Sequence, residues 1–392
     1  MYAVPELVRD RDFLASLGAS LAGDAPPPAL RCIKIKLTSR CNLRCTMCKY
    51  WKTTREDTLG SERWREVFAE LPALGCRKIH FSGGEVFLRR DFLDLVEAAT
   101  RHDLKVNFTT NGTLVTKDAA KRIASLGVNA VSISLDGADA ATHEAIRGRR
   151  GAFRRSLAAV RWIKRYGSGV KVRINFVIMA SNFRELPEAV RLAGELGATD
   201  LVPMPIDEKG ERRGRLTRSQ IRAYNREIAP RVLELRRRYG FPTDPARVYP
   251  FGVTEEEIGL SSKGLYARGF FDRRACLAPW LHAFFAWNGD TFLCCMTNGR
   301  MESLGNLGTD SVREIFEGPR FAAVRREFLA GRALSACRRC DLFLPENALL
   351  HASLDERGQG AGAGIGRGDE AAALTVGGSS VAGGEQARDG AL

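Results

Sequence analysis

Residues 37–52 read LTSRCNLRCTMCKYWK and place Cys41, Cys45 and Cys48 within eight residues, directly behind the strand-like run IKIK. Three thiols at offsets of four and three, with no fourth Cys or His close by, do not complete the four-donor tetrahedron of a structural zinc site. A cubane iron-sulfur cluster held by three thiolates leaves one iron without a protein donor, an open position for a substrate or cofactor. A zinc site shared with a distant ligand and a chance clustering of thiols are the competing readings of the spacing.

The 392 residues, 44% apolar and 27% charged, suit a globular protein of one large or two ordinary domains. The N-terminal run MYAVPELVRDRDFLASLG lacks the basic start and apolar block of an export signal. The longest apolar-rich piece, LAPWLHAFFAW, is too short and interrupted to span a bilayer. A cytoplasmic protein with no membrane partner is expected, and there ten cysteines serve as metal ligands or reactive thiols more readily than as disulfides. Sixty basic against 46 acidic residues leave a net charge of +14. With no basic stripe carrying aromatic platforms and no recognised binding module, a nucleic-acid partner is not expected. The excess reads as a solvated arginine-rich surface, with an anionic substrate or acidic redox partner as the alternative.

Working outward from the loop, strand-like runs (IKIKLT, RKIHFS, KVNFTT, NAVSISLD, KVRINFVIM and DLVPMP) alternate with amphipathic stretches such as SERWREVFAELPALG and RDFLDLVEAATRHD. Alternating strand and helix implies a parallel sheet with its chemistry at the C-terminal strand ends. The expected fold is α/β: a partial (βα)6 TIM-like barrel over residues 31–245, behind an N-terminal leader of residues 1–30 that closes on APPP. A linker of residues 246–269 follows. Residues 270–350, with short aromatic-rich runs and five cysteines, read as a second, small domain, and the Gly- and Ala-rich residues 351–392 as a disordered tail.

Further motifs end the strands: FSGGE at 81–85 (with Ser82, Gly83, Gly84 and Glu85), TTNG with Asn111, SISLDG with Ser134 and Asp136, and AIRG with Arg147. Together with CxxxCxxC these resemble the radical S-adenosylmethionine (SAM) superfamily over roughly residues 31–245. The resemblance implies a [4Fe-4S] cluster on Cys41, Cys45 and Cys48, chelated at its open iron by the amino and carboxylate groups of SAM. Reductive cleavage then gives a deoxyadenosyl radical that abstracts hydrogen from substrate, with a flavodoxin- or ferredoxin-like protein as electron donor. It also implies that Gly83, Gly84 and the rest of the FSGGE segment meet the methionine amino group, that Ser134, Asp136 and Asn111 contact ribose and methionine, and that Arg147 meets the carboxylate. Met47 stands where relatives often carry an aromatic residue against adenine. Each motif also has a plain reading, a strand-to-helix turn for the glycines and a solvated side chain for Arg147.

Downstream, CLAPW at Cys276, FLCC at Cys294 and Cys295, and CRRC at Cys337 and Cys340 offer four spaced thiols, enough for a zinc ribbon or a closed cubane. Their order resembles the SPASM and twitch extensions of radical SAM enzymes and implies one auxiliary [4Fe-4S] cluster on Cys276, Cys294, Cys337 and Cys340. Cys32, Cys76 and Cys295 remain. Buried structural thiols are the default, and Cys295 is also a candidate catalytic hydrogen donor to a substrate radical. His80, His143 and His282 have no ligand spacing, while Asn175, Asn182 and Met204 sit on or near the fifth and sixth strands.

The expected activity is therefore that of a radical SAM oxidoreductase or epimerase, acting first on a small polar metabolite such as a sugar or aminocyclitol. Maturation of a ribosomally made peptide is the alternative, for which some thirty residues before the barrel are too few to form a separate leader-binding domain. A non-catalytic metal-binding protein is the third reading.

Overall fold

The computed structural model describes residues 4–23, 25–48, 50–52, 57–208 and 214–358. Six strands follow one another in sheet order and in parallel: β1 (Cys32–Thr38), β2 (Lys78–Gly83), β3 (Lys105–Thr110), β4 (Ala130–Ser134), β5 (Lys171–Ile178) and β6 (Asp200–Pro205). The main helices, in chain order, are α1 (Arg11–Ala22), α2 (Ser61–Glu70), α3 (Phe92–Thr100), α4 (Lys117–Ser125), α5 (Ala140–Arg147), α6 (Ala152–Tyr166), α7 (Leu186–Glu195), α8 (Glu255–Ser262), α9 (Pro319–Leu329) and α10 (Leu344–Asp355). Among these, α2 to α7 lie between consecutive barrel strands. The alternation expected from the apolar pattern is present.

Period-two burial explains the strands. Ile33, Ile35 and Leu37 of β1 are fully buried, while Lys34 and Lys36 take the other face. On the apolar face an aromatic chain ties sheet to helices: Trp64 stacks on Phe68, both of α2. Phe68 meets Phe81 of β2 edge-on, and Phe92 of α3 meets Phe81 and Phe108 edge-on at 5.9 and 5.2 Å. Each such ring contributes roughly 1.5–3 kcal/mol by leaving water.

The C-terminal region is not a separate layer. A four-residue strand, β7 (His282–Phe285), pairs in parallel with β1, Cys32 opposite His282 and Ile35 opposite Phe285. The two-residue β8 (Thr291–Phe292) runs antiparallel to β7 and closes an eight-stranded sheet of order β6-β5-β4-β3-β2-β1-β7-β8. The stretch read as a linker contains α8, started by a capping box in which Thr254 and Glu257 satisfy each other's backbone N–H groups. In the stretch read as a leader, α1 is capped by Asp10, whose carboxylate accepts from Phe13 N–H at 2.9 Å, and buries Leu14 and Leu17 completely. It packs against α10, which extends past residue 350 to Asp355. Residues 359–392 of the expected tail lie outside the described residues. No described helix is long and apolar enough to cross a membrane.

Candidate active site

The cysteine loop leaves β1 at Thr38 and is held from three sides by hydrogen bonds. Gly84 N–H donates to Thr38 O (2.9 Å) and Glu85 N–H to Arg40 O (2.8 Å). Beyond β3, Asn111 Nδ2 donates to Asn42 Oδ1 (2.9 Å) and Asn42 Nδ2 to Thr113 Oγ1 (2.8 Å). From the end of α5, Arg147 O and Ile146 O accept from the N–H groups of Arg44 and Thr46. These ties stand the thiols over the C-terminal strand ends.

The glycines serve the loop. A Cβ on Gly84 would lie 2.0 Å from Arg40 O, and one on Gly83, whose φ is +148°, would lie 2.5 Å from Thr38 O. The close approach that excludes side chains is therefore made by the protein's own backbone. Ser82 is likewise occupied, donating to Ile35 O at 3.2 Å. Glu85 is fully buried and accepts from Thr110 Oγ1 and Asn111 N–H, both at 2.7 Å, and from Phe87 N–H. Burial raises its pKa against these hydrogen bonds. Asn111 Oδ1 takes N–H and O–H from Thr113.

At the ends of β4 and α5, Asp136 and Arg147 form a buried ion pair, Arg147 Nη2 to Asp136 Oδ2, at 2.6 Å. Asp136 Oδ1 accepts from Val177 N–H (2.8 Å), and its own N–H donates to His143 Nδ1 (3.2 Å). Burial raises the Asp136 pKa, and the guanidinium beside it pulls it back. Burial works against the Arg147 charge, but Asp136 and Cys45 outweigh it and raise that pKa. Arg147 Nη1 reaches the Cys45 thiol at 3.7 Å. Its Nε, also buried, has no hydrogen-bond partner among the described residues. A desolvated cationic donor left open beside the cysteine loop fits the carboxylate of an amino-acid ligand. Met47 packs with Ile146, Met179 and Ile206, an apolar patch at the same mouth. Ser134 ends β4, half-buried.

Cys41 and Cys48 are half-buried and Cys45 is buried. Burial pushes the Cys41 thiol up to about 11, with Cys45 and Cys48 adding to the push, and raises Cys45 against the pull of Arg147. The auxiliary thiols come from three segments and are all buried: Cys276, Cys294, Cys337 and Cys340. Burial raises each, to about 12 for Cys294 and about 11 for Cys337, and Cys276, Cys294 and Cys340 are pushed further by neighbouring thiols of the group. Among the described residues no three Cys, His, Asp or Glu side chains gather closely enough for a single metal ion. A cubane takes its thiolates on separate irons. Both groups thus fit cluster donors: three gathered on one tied loop, four gathered in a dry interior where deprotonation calls for a metal. Asn347, fully buried, holds the Cys276 segment through its Nδ2–H to the Cys276 thiol and Leu277 N–H to its Oδ1.

Between the two groups lies a cavity of about 1150 Å³ whose wall includes Met47, Cys48, Tyr50, Trp287 and Cys295. Cys295 therefore stands apart from the buried four, half-exposed in the cavity. Tyr50 and Trp287, which no sequence spacing singled out, meet edge-on with ring centres 6.5 Å apart. Lys36, on the inner face of β1, places its ammonium 5.3 Å from the Trp287 ring centre. Asp207, just past β6, grips the auxiliary region through Arg300 (2.5 Å) and Arg339 (3.0 Å). Asn182, buried, donates to Asp136 O and Val177 O and accepts from Met179 N–H, bracing the end of β5. His282 and His80 are structural by their contacts, His282 Nδ1 lying 2.9 Å from Cys32 O and His80 Nε2 lying 2.9 Å from Thr109 Oγ1.

Residues 35–193 match the radical SAM superfamily and residues 276–341 the iron-sulfur cluster-binding SPASM domain. Curated relatives include an AdoMet-dependent heme synthase of Methanosarcina barkeri, 33% identical over 43% of this chain and 49% of its own length. The mycofactocin maturase MftC of Mycobacterium tuberculosis is 36% identical over 43% of each chain, and the PqqA peptide cyclase of Gluconobacter oxydans 34% over 44% and 48%. The match spans less than half the length of each of these relatives. Among solved structures, Streptococcus suis SuiB bound to S-adenosylmethionine superposes with a TM-score of 0.60 at 17% identity, covering 81% of this chain and 73% of that one. With bound AdoMet, anSMEcpe gives 0.57 at 18%, covering 83% and 97%. SAM and [4Fe-4S] clusters are accordingly the cofactors, and the chain belongs to the radical SAM superfamily, with a SPASM iron-sulfur domain following its barrel.

Proposed function

We propose that this radical SAM enzyme removes hydrogen from a peptide held in the cavity between the barrel mouth and the SPASM domain. The carrying observation is that cavity, about 1150 Å³, larger than the ~300–1,000 Å³ typical of small-molecule pockets and so roomy enough for a second ligand beside SAM. Two of the named relatives are the PqqA peptide cyclase and the mycofactocin maturase, and SuiB is described bound to precursor peptide SuiA. These reverse the order expected from sequence, which put a small polar metabolite first.

With a cluster on Cys41, Cys45 and Cys48, bound SAM supplies the carbon radical that takes the hydrogen. This chain's residues bind and orient. Arg147, its guanidinium held by Asp136, would receive the methionine carboxylate of bound SAM, and Met47 would pack its thioether against the adenine. Ser134 and Asn111 remain the candidate ribose and methionine contacts, and Gly83, Gly84 and Glu85 act by fixing the loop. Tyr50 and Trp287 wall the cavity against water, which protects a radical from side reactions. Cys295, which lines the cavity, is the thiol we assign to returning hydrogen, and Cys295→Ser with unchanged product would exclude that role.

The test is anaerobic reconstitution with iron and sulfide, followed by dithionite, SAM and short peptides encoded beside the gene. Deoxyadenosine formation stimulated by a peptide, with a mass change in that peptide, is expected. Stimulation by sugars or aminocyclitols alone would return the substrate to the small-metabolite class.

A further inference from the structure

We propose that Arg300, on the wall of the cavity, is the receptor for a carboxylate of the peptide substrate, so that the enzyme selects acidic peptides over their neutral counterparts. The inference deepens the peptide reading and rests on it. Among the described residues the charged side chains lining the cavity are Lys52, Asp207, Glu208 and Arg300. Both carboxylates are matched by arginines outside that lining: Glu208 accepts from Gly214 N–H and lies 3.5 Å from Arg215 Nε, and Asp207 accepts from Arg339 Nη2 at 3.0 Å. Lys52 is exposed and forms no ion pair among the described residues. Lys52 and Arg300 therefore remain as the cavity's excess of positive charge. Arg300 is the one of the two that is held in place. Its Nη1 donates to Met296 O at 3.1 Å and its Nη2 to Asp207 Oδ2 at 2.5 Å. A guanidinium has five N–H donors, so three are left for a planar anion. The side chain is 15% exposed, which shelters a forked, charge-assisted pair from bulk water. Asp207 keeps Arg339 when Arg300 is shared with a substrate, so the exchange strands no charge. Burial, then Cys48 and Cys295, push the Tyr50 hydroxyl up to about 12, and Arg300 pulls against them, which puts its guanidinium on the same stretch of wall as those two sulfurs.

The experiment takes a synthetic peptide that stimulates deoxyadenosine formation by the reconstituted enzyme and removes its carboxylates one at a time: Asp to Asn, Glu to Gln, and the C-terminus to the amide. One of these changes should raise KM by about 10- to 100-fold in the wild type, and the arm that responds tells a side-chain carboxylate from a C-terminal one. Arg300→Gln should raise KM for the unmodified peptide by the same factor, and in that variant the responsive change should cost less than about twofold. Arg300→Lys keeps the charge without the fork and should recover part of the loss. Asp207→Asn cuts the same ion pair yet leaves the receptor, so KM there should stay level or fall. A rise equal to that of Arg300→Gln would make Arg300 a mere latch between barrel and SPASM domain and overturn the proposal. A wild-type KM indifferent to every carboxylate would overturn it as well, with the peptide reading intact. If no peptide stimulates the wild type, the peptide reading falls and this inference falls with it.

Discussion

The two cysteine groups answer the same chemical demand by opposite means. Cys41, Cys45 and Cys48 occupy one loop, partly exposed, and are stationed by hydrogen bonds from β2, β3 and α5. Cys276, Cys294, Cys337 and Cys340 are drawn from three distant segments into a dry interior where burial raises every thiol. The first arrangement offers three donors with a cavity beside them, so it suits turnover. The second surrounds its donors completely, so it suits holding a group that stays.

Breaking the first group should have the largest effect. Cys45→Ala is expected to reduce deoxyadenosine formation below detection by chromatography while circular dichroism stays that of the wild type, because the loop is fixed by backbone and not by its thiols. Cys340→Ala should remove about half the iron and leave SAM cleavage with dithionite in place. Loss of all iron and all cleavage would show that the groups are not independent.

The comparison sharpens at the ion pair beside the loop. Asp136→Ala strands the Arg147 cation in the interior and should lower stability by about 3–5 kcal/mol in chemical denaturation. A cost under about 1 kcal/mol would mean that Arg147 finds water, and with it that the site is wetter than its burial suggests.

Each region also holds a buried histidine whose pKa is pushed down by burial to about 3: His143 beside Asp136 and His282 on β7. The unfolded chain takes up these protons near pH 6.5 and the folded one does not. Stability is therefore full above that value and declines toward pH 3, by about 1.4 kcal/mol per pH unit for each histidine. Urea midpoints between pH 7 and 4.5 check this, and His143→Gln should remove only its own share of the slope, since His80 is also pushed down by burial and remains.

Sequence spacing made the loop trio, the six βα units and the thiol order of the SPASM region legible, since each is written in neighbouring residues. Parallel pairing of β7 with β1 was not, because HAFF is four residues long, wholly buried and without alternation, and its partner lies some 250 residues away. Asp136 shows the same boundary. Its motif marked it, but whether its carboxylate faces a ligand or Arg147 depends on where α5 ends. Gly83 and Gly84 likewise carried a readable signal, and the structure supplies a cause that spacing does not name, the close approach of the Thr38 and Arg40 backbone.

Because β7 is hydrogen-bonded along β1, the strand that launches the catalytic loop has no free edge. Ending the polypeptide before Phe270 would bare that row of amide and carbonyl groups at the heart of the barrel, an invitation to intermolecular strand addition. The SPASM region thus serves the barrel as the cover of its first strand, apart from anything its thiols hold.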